Sequence, residues 1–87
     1  MEYEFHWVSH MGDDVRKITE ENIRTTHESG HSPITFCHEG PVIVTLSTTG
    51  PLQTTLVGNM KCGCGKTRGE IHGSSDGSSL TFGAVEN

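Results

Sequence analysis

The chain has 87 residues and a formal charge of −5, from six Lys and Arg against eleven Asp and Glu. No apolar run reaches the roughly eighteen residues that a membrane-spanning helix needs. The start, Met1-Glu2-Tyr3-Glu4, lacks the basic and apolar stretches of a secretion signal. An acidic balance also works against a direct nucleic-acid binder that neutralises phosphates.

Leu, Ile, Val and Phe together number eighteen, barely above the composition of disordered chains. A single small domain over residues 1–87 with a thin core is therefore expected, one that draws part of its stability from a partner, a metal or a second copy.

Residues 2–8 alternate, with Tyr3, Phe5 and Trp7 on one face and Glu2, Glu4 and His6 on the other. That is the pattern of a strand with one buried face. Gly12-Asp13-Asp14 opens a helix with an acidic N-cap, and Gly30 and Pro33 stop it near Glu28. Val15, Ile18, Ile23 and Thr26 fall near one face of that helix, with Arg16, Lys17, Glu20, Glu21 and Arg24 towards water.

Strand signals follow from there. Ile34 to His38 reads as a short strand. Pro41 to Ser47 is the strongest, with Val42, Val44 and Leu46 inward and Ile43 and Thr45 outward. Thr48-Thr49-Gly50-Pro51 turns the chain, and Leu52 to Val57 returns with Leu52, Thr54 and Leu56 on one face, making a hairpin. Gly58-Asn59 and Cys62-Gly63-Cys64-Gly65 form a glycine-rich stretch. Thr67 to His72 and Leu80 to Val85 are the last strands, separated by a Ser/Gly loop. The order β-α-β-β-β-β-β predicts an α+β fold, with one helix packed on a mostly antiparallel sheet of five or six strands or on a small barrel.

Three cysteines and six histidines are the compositional feature to explain. With no secretion signal, the thiols are expected reduced in the cytoplasm, and zinc favours four Cys or His ligands in a tetrahedron. Cys62 and Cys64 chelate one ion if the backbone between them bends sharply, which Gly63 and Gly65 permit. Cys37, His38 and His72 are the candidates to complete the set. The other reading is that Cys37 is a small buried hydrophobe and the pair sits in a plain turn.

A second constellation, His27-Glu28-Ser29-Gly30-His31, is a literal H-E-x-x-H, in which two histidines one helical turn apart bind zinc and the glutamate acts as general base. Gly30 and Pro33 end the helix before His31, and the bland reading is a solvated helix end. Gly65-Lys66-Thr67 matches only the last part of a phosphate-binding loop, since Met60 stands where its first glycine belongs. Ser74 to Ser79 has one carboxylate, too few for calcium.

The string Cys62-Gly63-Cys64-Gly65 is similar to the C-terminal cysteine pair of the A-type iron–sulfur carriers. In that family the third cysteine lies much further upstream and the chain ends soon after the pair, whereas 23 residues follow Cys64 here. The function is not carried over. Val42-Ile43-Val44-Thr45-Leu46, Gly50, Thr55 to Met60 and Arg68-Gly69-Glu70-Ile71 resemble the two Sm-like motifs, and a helix followed by five strands is the Sm-like order. That resemblance implies a small five-stranded barrel; the acidic charge leaves its RNA role aside.

Two function classes remain. One is a small cytoplasmic, non-enzymatic binding or regulatory domain stabilised by zinc through Cys62, Cys64, Cys37, His38 and His72. The other is a metal-free acidic interaction module, of the inhibitor or antitoxin kind, that binds another protein's basic surface and is open to homo-oligomer formation. A minimal metallohydrolase using His27, Glu28 and His31 ranks third.

Overall fold

A computed structural model of the chain describes residues 2–35 and 40–85. The alternating start forms β1 (Tyr3–Trp7), followed by α1 (Asp13–Glu28), β2 (Val42–Thr49), a 3-10 turn (Pro51–Gln53), β3 (Thr55–Lys61), β4 (Thr67–Ser74) and β5 (Leu80–Ala84). The fold is α+β, with the sheet order β1-β2-β3-β4-β5. β1 runs parallel to β2, and the other three pairings are antiparallel. A parallel pair needs a crossover, and α1 supplies it. Among the described residues, no helix is long and apolar enough to cross a membrane.

The barrel alternative is corrected. β1 and β5 stand at opposite edges and do not pair, so the sheet is open. The strand expected over Ile34–His38 is also not found in its described part: Ile34 and Thr35 have no regular structure, and residues 36–39 lie outside the described residues. Ile34 is nonetheless buried. Its side chain lies over Gly69, where any Cβ would run into it.

One face of the sheet is the core. Pair register aligns Phe5 with Val44 and Met60, and Trp7 with Leu46, Gly58 and Ile71. Val42, Val44, Leu46, Leu56, Met60 and Ile71 are buried there together with Ile23 of α1. Gly58 makes room for its neighbour: a Cβ would come within 2.7 Å of Leu46 Cδ2. Close packing leaves no slack for that group.

Within α1 the buried stripe runs through Thr19 and Ile23, four residues apart. Ile18, one position round the helix, is 51% exposed, contrary to the expected face. Thr19 tolerates burial because its hydroxyl donates to Val15 O at 2.8 Å. Glu20 does not simply face water; it accepts a hydrogen bond from Trp7 Nε1 at 3.0 Å. The N-cap is Gly12, without a side-chain bond, and Asp13 and Asp14 occupy the first turn, where the helix dipole favours carboxylates.

The hairpin exists, but its second strand begins at Thr55 and runs on through Gly58-Asn59 to Lys61. Leu52 is not on the strand. It sits in the turn at φ 61, followed by Gln53 at φ 53, and is 93% exposed. The turn between β4 and β5 closes on the Asp76 carboxylate. Asp76 accepts from Ser74 Oγ, Ser78 N and Ser78 Oγ. Those hydrogen bonds, Ser74's first, hold its carboxyl pKa down at about 2.

Leu56 and Leu52 give a clean contrast. In urea unfolding, Leu56→Ala is expected to cost about 2–5 kcal/mol, as for other fully buried leucines. Leu52→Ala is expected to stay within about 0.5 kcal/mol, as for ordinary surface changes.

Candidate functional site

The cysteine pair sits at the turn between β3 and β4. Cys62 N donates to Lys66 O at 2.9 Å and Gly65 N to Cys62 O at 2.8 Å, closing a tight turn with Gly65 at φ 92. Only glycine takes that backbone without strain. Cys62 is fully buried and disulfide-bonded. A sulfur in a disulfide is not a thiolate and does not ligate zinc. Cys64 is an exposed thiol near the turn's tip, its Sγ 4.0 Å from Arg68 Nη2. Cys37 and His38 lie outside the described residues.

His72 is not brought to this turn. It lies in mid β4 opposite Val57, five residues along β3 from Cys62, which is about 16 Å of strand rise. Its Nε2 lies 3.5 Å from Glu70 Oε2.

The second constellation is divided by the end of α1. His27 and Glu28 are its last residues, Ser29 is the C-cap and Gly30 turns away at φ 80. His31 N donates to Thr26 O, and its Nδ1 lies 2.9 Å from Ser29 Oγ on the exposed side. His27 points the other way, edge-on to the Tyr3 ring with centroids 6.2 Å apart. The two imidazoles do not share a helical face. Among the described residues, no three or more His, Cys, Asp or Glu side chains form a group that could hold a metal ion.

Burial pushes the His27 pKa below its ordinary 6.5, with the Glu28 carboxylate working in the opposite direction. Tyr3 is shifted upward, first by burial and then by Glu28. Arg24 tops this corner, its guanidinium 5.1 Å from the centroid of the Phe5 ring.

The feature that sequence reasoning passed over is the second face of the sheet. Pair register sets out three rows there: Glu4, Ile43 and Lys61; His6, Thr45, Asn59, Glu70 and Gly83; and Ser47, Val57, His72 and Thr81. His6 Nε2 lies 3.1 Å from Glu4 Oε1. At the centre, Asn59 Oδ1 is buried with no hydrogen-bond partner among the described residues. A buried acceptor without a donor costs about 1–3 kcal/mol. The signal was present in the chain: Ile43 and Val57 are apolar residues at outward positions of two neighbouring strands. This surface combines apolar area, hydroxyls, an unsatisfied acceptor and two carboxylates, which suits recognition of another surface.

The His27 shift gives a pH dependence with a definite sign. Because the folded pKa is below the unfolded one, the unfolded chain takes up protons first as pH falls. Stability is therefore lost from the unfolded value downward. Urea melts at roughly pH 7.5 and 5.5 should show His27→Gln losing less stability on acidification than the parent chain. An NMR titration midpoint for His27 above 6.5 would contradict the shift.

The disulfide gives a second prediction. In denaturant without reductant, thiol titration should find fewer than the chain's three cysteines, and all three after reduction. Three thiols before reduction would return Cys62 to the set of available metal ligands. No family model matches the chain, and no curated protein or solved structure matches it.

Proposed function

We propose that the chain is a non-enzymatic binding and regulatory domain that docks on another protein through the uncovered face of its sheet. The partner brings a basic side chain to the row Thr45, Asn59 and Glu70. The supporting observation is Asn59, whose buried Oδ1 at the centre of that face meets no donor among the described residues. A Lys or Arg from the partner supplies the missing donor and meets the Glu70 carboxylate in the same row. The net charge of −5 draws a basic surface towards the chain from a distance.

Zinc is the companion expectation, and the Cys62 disulfide removes one of its ligands, so the proposal does not depend on metal. Cytoplasmic residence belongs to it on composition alone. The thiol titration tests that as well, because a reducing compartment rarely keeps a structural disulfide.

An arginine-rich peptide titrated into labelled protein is the first probe. Amide shifts are expected at Thr45, Asn59 and Glu70, and Glu70→Lys should abolish them with the melting temperature unchanged. Shifts centred instead on Asp13, Glu20 and Glu21 of α1 would sink the proposal. Asn59→Leu should stabilise the unbound protein, by about 1 kcal/mol, while weakening binding, because it removes an unpaired acceptor that only the complex satisfies.

A further inference from the structure

The two edges of the sheet are differently equipped. β1 carries Glu4 and His6 within the strand, with Arg24 standing over its Phe5. Charges of that kind discourage strand addition. β5, Leu80-Thr81-Phe82-Gly83-Ala84, has no charged residue, no proline and no bulge. Such a strand, left at an edge, is a template for another strand.

The ladder shows which of its backbone groups are open. Ser74 N donates to Ser79 O, and Val85 N donates to Arg68 O. Antiparallel pairs alternate between bonded and non-bonded, so Thr81 and Gly83 direct their N–H and C=O groups to β4. Those of Leu80, Phe82 and Ala84 then point away from the sheet. These three residues are symmetric about Phe82.

We infer that β5 pairs antiparallel with β5 of a second copy, about a two-fold axis at Phe82, joining two sheets into one of ten strands. Phe82 faces Phe82 of the other copy, and Leu80 faces its Ala84. Each of the three facing pairs exchanges two hydrogen bonds. The side chains fit as well. Leu80, Phe82 and Ala84 share the core face, and the large Leu80 meets the small Ala84.

Leu80 and Phe82 pack against the core cluster yet remain only partly buried, so the second copy completes their cover. No charge is opposed to its like along the strand, although each copy is acidic overall. The inference is independent of the proposed docking face, since the paired edge leaves that face uncovered.

Sedimentation equilibrium across micromolar to millimolar protein, together with hydrogen exchange, tests it. A reversible dimer is expected, with the amides of Leu80, Phe82 and Ala84 slow to exchange in the dimer and fast on dilution. Ala84→Pro removes an outward donor but no bond to β4, and proline is accepted on edge strands. It should weaken dimerisation by at least about tenfold while the monomer stays folded. A monomer at all concentrations overturns the inference. So does a dimer whose β5 amides exchange fast, an Ala84→Pro dimer of unchanged affinity, or β5 amides protected only by another protein's strand. Should Ala84→Pro fail to fold, amide protection in the parent protein decides.

Discussion

The parallel pairing of β1 with β2 governs the rest of the molecule. It requires the chain to return from Trp7 to Val42 across one face of the sheet, and α1 is the element that makes the return. One helix with its side chains is about 10–12 Å across. Five strands at about 4.8 Å spacing make a sheet roughly 20 Å wide. A single helix therefore covers part of one face. It packs on β1, where Trp7 bonds Glu20, His27 meets Tyr3 and Arg24 stands over Phe5, and reaches the β4–β5 turn through Thr19 and Asn22, whose Nδ2 donates to Gly77 O. The far side of the core face, at Leu80 and Phe82, is left half covered, and among the described residues no helix lies on the opposite face.

Thin covering explains how the core is built. The buried side chains are few, so they interlock with glycines of the neighbouring strands: Leu46 against Gly58, and Ile34 over Gly69. Close approach of this kind recovers packing density from a composition poor in large apolar residues. The cost of a single helical layer appears on the surface, as an uncharged edge strand and an outward face with Ile43, Val57 and an unpaired Asn59 acceptor. Both are places where another chain would add stability.

Much of the local structure was legible. The helix runs from Asp13 to Glu28 as its stop signals indicate, because Gly30 at φ 80 ends the ladder there. Val42, Val44 and Leu46 alternate inward as expected. Leu52 misled because its apolar side chain continues a period-two pattern with Leu56, whereas Gly50-Pro51 winds the chain into a 3-10 turn that throws it outward. Ile18 misled for a related reason. Periodicity scores apolar residues, but a helix turned by one position buries Thr19, whose hydroxyl is satisfied by Val15.

The candidate sites divide the same way. Residue types and spacing were enough to single out Cys62, Cys64, His27, Glu28 and His31, since those are local features of the chain. They also marked Gly30 as a break between the two histidines. What the sequence by itself determined is the set of elements and their buried faces, because propensity, capping and alternation act over a few residues. Only the tertiary structure decided that β1 lies parallel beside β2, that the sheet stays open, that Cys62 is in a disulfide and that His72, though on the neighbouring strand, sits several residues along the ladder from it. Those outcomes depend on strand register and on which surfaces one helix can cover, and both are set by contacts between residues far apart in the chain.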